Sequence, residues 1–367
     1  MKGIYIHIPF CVRKCRYCDF VSYPNMEESF DRYLYAVFKE MEQYRGEKAD
    51  TVFIGGGTPT ALGAHQLDRL VKKCFEVFDI KSGYEFSIEA NPGTIDDEKA
   101  KVLLADGVNR ISVGVQSFDN SELKMLGRIH SAQTAYNTIC RLNELGFLNI
   151  NADIMTALPE QTSEKLMCTL NTALELPVTH ISAYSLIIED NTPMAEDYQK
   201  GKLVLPDEDS DRNMFAEAVR LLEKNGFHRY EISNFAKDGF ECRHNIKYWQ
   251  CDEYIGLGAA AHSYDGKSRF FNTSDIKRYM LGDFGRHADA LTLNDKISEF
   301  IFLGMRMKCG ISAAEFQKRF NIDFKQRYGK LLDKFINGGF IAEKDGRYVF
   351  TDRGFDVSNS VLCEFVC

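Results

Sequence analysis

Three cysteines near the N-terminus have the residue type and the spacing of a metal-cluster site. Cys11, Cys15 and Cys18 form a Cys-x3-Cys-x2-Cys motif just after a strand-like run at residues 3–8. Three thiolates can hold three irons of a 4Fe-4S cluster and leave the fourth iron open, whereas electron-transfer ferredoxin sites normally use four cysteines. Because an open iron can bind a substrate or a cofactor, the motif predicts a cluster that takes part in chemistry.

A zinc site is the structural alternative for the same cysteines. Structural zinc takes four ligands, and the nearest fourth candidate, His7, would have to turn off a strand face to join them. Asp19 and Phe20 follow Cys18, so no further thiol lies immediately beyond it. The iron-sulfur interpretation is therefore favoured. The total of 11 cysteines is odd and spread over 367 residues, which does not suit the disulfide framework of a small secreted domain.

The elements that must position this motif alternate between strand and helix over about the first 220 residues. Apolar residues at every second position predict the strands, and apolar residues at a period of 3.6 predict a helix between each strand and the next. The predicted strands cover residues 3–8, 51–54, 84–90, 110–116, 149–155 and 180–186. Six such units predict an α/β fold with a partial (β/α)6 barrel of the TIM type, in which chemistry is expected at the carboxyl ends of the strands.

The chain divides into three regions by pattern. Residues 1–230 are predicted to form the partial barrel, and residues 231–290, rich in Gly, Asn and aromatic residues, a connecting region. Residues 291–367 show helices followed by two short strands, which predicts a small winged-helix-like α+β domain. Its Lys and Arg residues are interleaved with Asp and Glu, so a packing or partner role is favoured over DNA binding.

The overall charge excludes some classes of partner. The chain has 45 basic and 53 acidic residues, a formal net charge of −8, which disfavours broad binding to nucleic acid phosphates. No apolar run approaches the roughly 18 residues of a membrane-spanning helix. The N-terminus also lacks the pattern of a signal peptide. We therefore expect a cytoplasmic protein without a nucleic-acid partner.

Further polar and glycine residues fall at the ends of the predicted strands. The run of residues 55–60, Gly-Gly-Gly-Thr-Pro-Thr, would let backbone groups approach a ligand closely, although such a run also forms ordinary turns. Glu89 could hold a ribose hydroxyl or an amine, or form an ordinary ion pair. Gln116 and Asp153 end or occupy later strands, and the Arg128 guanidinium could bind a carboxylate in bidentate fashion.

Residues 5–20, YIHIPFCVRKCRYCDF, resemble the opening of a radical S-adenosylmethionine (SAM) protein. Nearly the whole chain, including the segment RHNIKYW at residues 243–249, resembles the HemW family of haem chaperones, relatives of the oxygen-independent coproporphyrinogen III oxidases. The resemblance implies that SAM chelates the open iron and is cleaved reductively to a 5′-deoxyadenosyl radical. The SAM contacts it implies are Tyr5, Gly56, Gly57, Thr58, Glu89, Gln116, Arg128 and Asp153, of which Gly57 and Thr58 match positions for a second SAM in the oxidase.

Two features favour the chaperones over the oxidases. Only ten residues precede Cys11, and Asp19-Phe20 stands where the oxidases carry a further cysteine. The resemblance implies 4Fe-4S, SAM and haem as bound groups, and as partners haem or another tetrapyrrole, a haem-acceptor protein and an electron donor such as flavodoxin or ferredoxin. A membrane-bound acceptor could be contacted peripherally. Coproporphyrinogen III oxidation, or another radical reaction on a tetrapyrrole, is the alternative.

The segment with His244, Tyr248 and Trp249 resembles the family's haem-binding signature. An imidazole there could ligate haem iron with a flat aromatic surface alongside, although a histidine beside aromatic residues is more often simply packed. Two other positions depart from the family pattern, because Ala157 and Ala260 stand where glycine is usual. An added methyl group there would disfavour positive φ or narrow a pocket.

Overall fold

A computed structural model describes residues 1–366 and contains the six predicted strand–helix units. The barrel strands, called first to sixth below, are Lys2–Ile8, Lys48–Gly56, Asp79–Ala90, Arg110–Gln116, Ile150–Thr156 and His180–Ser185. Each pairs in parallel with the next along the chain. Every residue of the fourth strand is buried, as expected for a parallel strand covered on both faces. The predicted partial barrel is confirmed.

Amphipathic helices cover the outside of these strands. The helix Ala64–Val77, for example, buries Leu67, Leu70, Val71 and Cys74 against the sheet, at the spacing that brings side chains to one helix face. The helices of the barrel region are Phe30–Met41, Ala64–Val77, Asp97–Ala105, Asn120–Leu126, Ala132–Leu145, Ser163–Glu175, Pro193–Gln199 and Glu208–Lys224.

One predicted helix start is wrong. The Thr94-x-x-Asp97 pattern in the sequence predicts that Thr94 caps the helix Asp97–Ala105, but Asp96 is the cap, with its carboxylate accepting from the Lys99 backbone N–H at 2.9 Å. The Thr94 hydroxyl instead donates to the Asn91 carbonyl at 2.8 Å and lies 2.6 Å from the Thr60 hydroxyl. The reason is tertiary, because Thr94 closes the turn at the end of the third strand and the helix begins only after it.

Residues 231–290 extend the barrel sheet at both edges. Tyr254–Leu257 pairs in parallel with the first strand, and three antiparallel strands follow outward from it, His262–Tyr264, Ser268–Phe271 and His287–Ala290. At the other edge, Asn234–Ala236 pairs antiparallel with the sixth strand. Two short helices, Arg243–Trp249 and Ile276–Met280, connect these strands. The loop from Gly258 to Ala261 therefore lies beside the first strand.

The C-terminal region forms a separate small α+β unit with its own core. Its helices are Leu293–Gly304, Ala313–Phe320, Phe324–Asn337, Asp352–Asp356 and Ser358–Leu362. A three-stranded sheet is formed by Ile311–Ser312, Arg347–Phe350 and Ile341–Lys344. The core is rich in buried aromatic side chains, among them Phe316 and Phe324. Within residues 1–366, no helix has both the length and the apolarity needed to cross a membrane.

Candidate functional site

The three motif cysteines line one cavity of about 560 Å³ at the carboxyl ends of the barrel strands. None of them forms a disulfide in the structure. The Thr58 hydroxyl donates to Cys11 Sγ at 3.6 Å, and Arg128 Nη1 donates to Cys15 Sγ at 3.4 Å. Burial raises the pKa of the Cys11 thiol and raises the pKa of Cys18 to about 11. Both thiols therefore have to lose a proton when they bind metal.

The glycines at the end of the second strand leave no room for a side chain. Gly56 has φ +118°, and a Cβ added to it would lie 2.6 Å from ring atoms of His7. A Cβ on Gly57 would lie 2.6 Å from the Phe10 carbonyl oxygen and 2.9 Å from Cys11 Sγ. The backbone at this point is thus packed directly against the cysteine loop, which only glycine permits.

The surroundings of the cysteines and of His7 bear on the choice between an iron-sulfur cluster and zinc. Soft thiolates with neighbouring hydrogen-bond donors are typical ligands of iron-sulfur clusters. The fourth zinc ligand considered above, His7, has Nδ1 3.1 Å from the Tyr5 hydroxyl and Nε2 3.0 Å from the Val21 carbonyl oxygen. Among residues 1–366, no group of three or more His, Cys, Asp or Glu side chains, the motif cysteines included, is close enough together to hold one metal ion. His7 therefore does not complete a zinc site in this structure.

Two carboxyl groups face the same cavity from the third and fifth strands. Glu89 accepts from the Gly56 backbone N–H at 2.9 Å, while Asp153 accepts from Ser112 and Asn151 at 3.1 and 2.7 Å. Burial, and then the negative charge of Asp153, raise the pKa of Glu89 to about 8. Burial also raises the pKa of Asp153. Two carboxyls that are costly to ionise together form a site suited to a cationic group, which would favour their charged forms.

Gln116 and Arg128 complete the wall of this cavity. Gln116 adopts φ +68°, an uncommon conformation for a residue other than glycine, and its Oε1 accepts from the Tyr184 hydroxyl at 3.0 Å. Arg128 donates to the Gly114 carbonyl oxygen at 2.6 Å. Seven of the eight predicted SAM contacts thus line the cysteine cavity, namely Gly56, Gly57, Thr58, Glu89, Gln116, Arg128 and Asp153.

The eighth residue, Tyr5, lies elsewhere. Its ring is stacked on Phe53, with 6.2 Å between ring centroids, and its hydroxyl is within hydrogen-bond distance of His7 Nδ1, at 3.1 Å. It lines two neighbouring cavities rather than the one that holds the cysteines. Tyr5 and Glu89 both line one of these, a small polar cavity of about 240 Å³. Because this small cavity shares Glu89 and Asp153 with the cysteine cavity, Tyr5 lies in a space that adjoins the predicted cofactor site.

Sequence reasoning missed Asn91. Its Nδ2 donates to the Thr58 hydroxyl at 2.7 Å, and its Oδ1 accepts from Arg128. Asn91 therefore joins the two residues that donate to Cys11 and Cys15. Its place two residues after Glu89, at the start of an Asn-Pro-Gly turn that ends the third strand, is the signal that could have identified it.

Comparisons with known proteins agree with this geometry. Residues 5–173 match the model of the Radical SAM superfamily, and residues 291–357 match the HemN C-terminal domain. The Heme chaperone HemW of Lactococcus lactis is 39% identical over 368 residues, which cover all of this chain and 97% of that protein. The proteins of the same name from Bacillus subtilis and Escherichia coli are 38% and 34% identical, with 99% and 97% of their lengths covered. This chain belongs to the HemW family.

The fold of this HemW family member also matches a solved structure. Coproporphyrinogen III oxidase (HemN) from Escherichia coli, a radical SAM enzyme, superposes with a TM-score of 0.85 at 24% identity. The superposition covers 99% of this chain and 89% of that chain. The two proteins therefore share one fold, which includes both the partial barrel and the C-terminal unit.

The structure places the residues of the HemW-like signature in two different surroundings. His244 is 1% exposed, with Nδ1 2.9 Å from the Thr51 hydroxyl and Nε2 2.9 Å from the Tyr248 hydroxyl. Burial, and then the positive charges of Lys247 and Arg110, lower the pKa of His244 to about 3. The helix Arg243–Trp249 thus directs this imidazole into the barrel rather than toward the surface. Of the three predicted haem residues, only Tyr248 and Trp249 line the largest cavity of those described.

That cavity, of about 930 Å³, lies between the barrel edge and the helix Leu293–Gly304. It is within the range of roughly 300–1,000 Å³ typical of small-molecule sites. Asp19 and Phe20, which follow the cysteine motif, line both this cavity and the cysteine cavity. In this HemW family member, the predicted cofactor site and the large apolar cavity are therefore neighbours that share a wall.

Proposed function

We propose that this chain holds a 4Fe-4S cluster on Cys11, Cys15 and Cys18, binds SAM in the same cavity, and binds haem for transfer to an acceptor protein. The observation that carries the proposal is the single cavity lined by the three thiols and seven of the eight predicted SAM contacts. The full-length relatives named as heme chaperones support haem as the cargo. A flavodoxin or ferredoxin would supply electrons, and a cytoplasmic location stays a prediction.

The chain's own residues have definite tasks in this proposal. Arg128 and Thr58 donate to cysteine sulfur, which offsets the negative charge of thiolates. Glu89 and Asp153 would hold the amine of SAM, because a cation relieves their mutual repulsion. When bound, the cluster and SAM supply reductive cleavage of the sulfonium. Asn91 holds the Thr58 and Arg128 side chains in position against the cysteine loop through hydrogen bonds to both.

Oxidation of coproporphyrinogen III is the second candidate function. It is favoured by the same set of SAM contacts, which an enzyme that uses a radical would need. Asp19-Phe20 in place of a further cysteine favours the chaperone. The two functions share cofactors and differ in whether the tetrapyrrole is changed.

One assay distinguishes them. Protein reconstituted anaerobically with iron and sulfide is incubated with reductant, SAM and coproporphyrinogen III, and 5′-deoxyadenosine and tetrapyrrole are quantified together by mass spectrometry. We expect slow cleavage of SAM, unchanged coproporphyrinogen and, in a separate titration, binding of haem. Repeated turnover with loss of carboxyl groups would make the chain an oxidase, and failure of cluster-loaded protein to bind haem would refute the chaperone proposal.

The cluster ligands have their own test. Cys11→Ser, Cys15→Ser and Cys18→Ser are each expected to lose the visible absorbance of the cluster, because a hard hydroxyl is a poor iron ligand compared with a thiolate. The matched control is Cys168→Ser, since Cys168 is exposed on the helix Ser163–Glu175. Iron and sulfide content measured after anaerobic reconstitution checks the result. Full absorbance in all three variants would contradict the ligand assignment.

A further inference from the structure

We propose that haem occupies the 930 Å³ cavity beside the cysteine loop and that His262, rather than His244, ligates its iron. The inference rests on the haem-binding function proposed above and assigns it a place and a ligand. His262 begins the strand His262–Tyr264, which is the second strand outward from the first barrel strand. The ligand therefore comes from the part of the chain that extends the barrel sheet.

The wall of the cavity suits a flat apolar ligand. Its apolar and aromatic lining includes Phe20, Tyr248, Trp249, Tyr254, Tyr264 and Phe302. Phe20 is 61% exposed and Phe302 is 39% exposed, although both belong to a concave surface. Large apolar side chains left exposed in a cleft mark a binding site, because an apolar ligand would remove them from water.

His262 is the histidine of this cavity that is free to bind a metal. Two histidines line the cavity, His7 and His262, and both ring nitrogens of His7 are already within hydrogen-bond distance of other groups. Within the part of the chain that the structure describes, the imidazole of His262 has no hydrogen-bond or ion-pair partner. His244 would have to give up its contact with Thr51 or Tyr248 to ligate iron.

The surroundings of His262 hold its ring in a form suited to ligation. The ring is stacked on Phe271, with 5.1 Å between centroids and an angle of 27° between planes. This stacking orients the imidazole, and both of its ring nitrogens are without a hydrogen-bond partner among the described residues.

The loop that leads to His262 is firmly held. Gly258 donates its backbone N–H to the buried carboxylate of Glu40 at 3.0 Å, and Ala259 donates to the Tyr33 hydroxyl at 3.0 Å. Glu40 is 0% exposed and also accepts from Asn272 at 2.8 Å. A ligand on an anchored loop meets a metal with little loss of conformational freedom.

Charge determines how haem would lie. The charged lining residues are Asp19, Asp252, Glu299 and Arg269, and Arg269 is already paired with Glu299 at 2.8 Å. Because the cavity offers no free cation among these residues, the two propionates of haem would point outward to solvent. The apolar ring would then face the aromatic wall, to which Phe20 of the cysteine loop belongs.

Haem titration of the full-length, cluster-loaded protein tests this inference. We expect His262→Ala to bind haem about tenfold more weakly and to lose the histidine-ligated absorption spectrum, and added imidazole to restore that spectrum. The matched control is His287→Ala. His287 is stacked on the same Phe271, with 5.3 Å between ring centroids, but it does not line the cavity. It should bind haem like the unaltered protein.

A second variant tests the cavity separately from the ligand. Phe302→Asp places a charge on the cavity wall and should weaken haem binding while the histidine-ligated spectrum of bound haem is kept. An unchanged spectrum and affinity in His262→Ala, or loss of ligation in His244→Ala alone, would overturn the inference and leave the haem-binding proposal standing. Absence of haem binding by the unaltered protein would instead refute the proposed function itself.

Discussion

Glu89 lies where the ends of the second, third and fifth strands meet, and its ionisation is opposed by its surroundings. Burial, and then the charge of Asp153, raise its pKa to about 8 from the ordinary value of 4.5. The folded protein therefore binds this proton more tightly than the unfolded chain does. Consequently the carboxyl contributes stability at low pH, and that contribution is lost as the pH rises from about 4.5 to about 8.

Replacing Glu89 with Gln should remove this dependence. Between about pH 5 and about pH 8, the free energy of unfolding of the unaltered protein should fall relative to Glu89→Gln by up to about 1.4 kcal/mol per pH unit. Urea unfolding of the cluster-free protein at several pH values measures this difference. Glu98→Gln serves as the control, because Glu98 is exposed on the helix Asp97–Ala105. Parallel pH profiles for the unaltered protein and Glu89→Gln would disprove the assigned burial of this carboxyl.

Residues also show what sequence could and could not reveal. The three cysteines were predictable because their spacing along the chain is itself the signal, and Glu89 and Asp153 because parallel strands end at one edge of a sheet. The orientation of His244 was not predictable, since it depends on Thr51 and on the carboxylate of Glu85. Glu85 accepts from the His244 backbone N–H at 3.0 Å, across 159 residues of sequence.

At the scale of elements, the predicted strands and helices agree with the structure where the patterns are long, and the short elements depend on tertiary contacts. The helix Arg243–Trp249 has only seven residues, and the Glu85 carboxylate accepts from the first two of its backbone N–H groups. The helix Asn120–Leu126 was not predicted, yet its left-handed end at Gly127, with φ +75°, precedes Arg128. Such elements become stable through packing rather than through their own periodicity.

Two turns after strands carry alanine where the family pattern has glycine. Ala157 has φ +54° and Ala260 has φ +61°, both in the left-handed region. That conformation costs an alanine about 1–2 kcal/mol, whereas the greater freedom of glycine in the unfolded chain takes back about 0.4–1 kcal/mol. Ala157→Gly and Ala260→Gly should therefore each raise the free energy of unfolding by about 0.5–1 kcal/mol.

Chemical denaturation of both variants measures this gain. Ala216→Gly is the matched control, because Ala216 lies inside the helix Glu208–Lys224, where glycine is expected to lower stability by about 0.5–1 kcal/mol. Destabilisation of all three variants to a similar extent would show that the two turns are not strained. The Ala260 variant also widens the conformational range of the loop before His262, so its haem titration reports how far that loop must be rigid.

At the scale of the whole molecule, the helix Arg243–Trp249, which carries the chain's single tryptophan, packs against the first C-terminal helix, Leu293–Gly304. The guanidinium of Arg306, two residues after the first C-terminal helix ends, lies over the Trp249 ring at 4.4 Å. The same guanidinium lies 3.4 Å from Glu231, a carboxylate that is 0% exposed and begins the region that extends the barrel sheet. Met307 also pairs with Glu231 through a backbone bridge. One arginine thus links both units at the edge of the proposed haem cavity.

Removing this arginine should loosen the junction. Arg306→Ala leaves the buried Glu231 with less compensation and uncovers Trp249, so we expect the free energy of unfolding to fall by about 1–3 kcal/mol. Because Trp249 is the single tryptophan, its emission should move to longer wavelength and report this site alone. The matched control is Arg353→Ala, whose guanidinium lies over Phe340 at 5.0 Å on the exposed surface of the C-terminal unit. That variant should stay within about 0.5 kcal/mol of the unaltered protein.

If Arg306→Ala left the emission unchanged, the junction would have to depend on the backbone contacts of Met307 and on apolar packing, and Trp249 would be covered by groups other than Arg306.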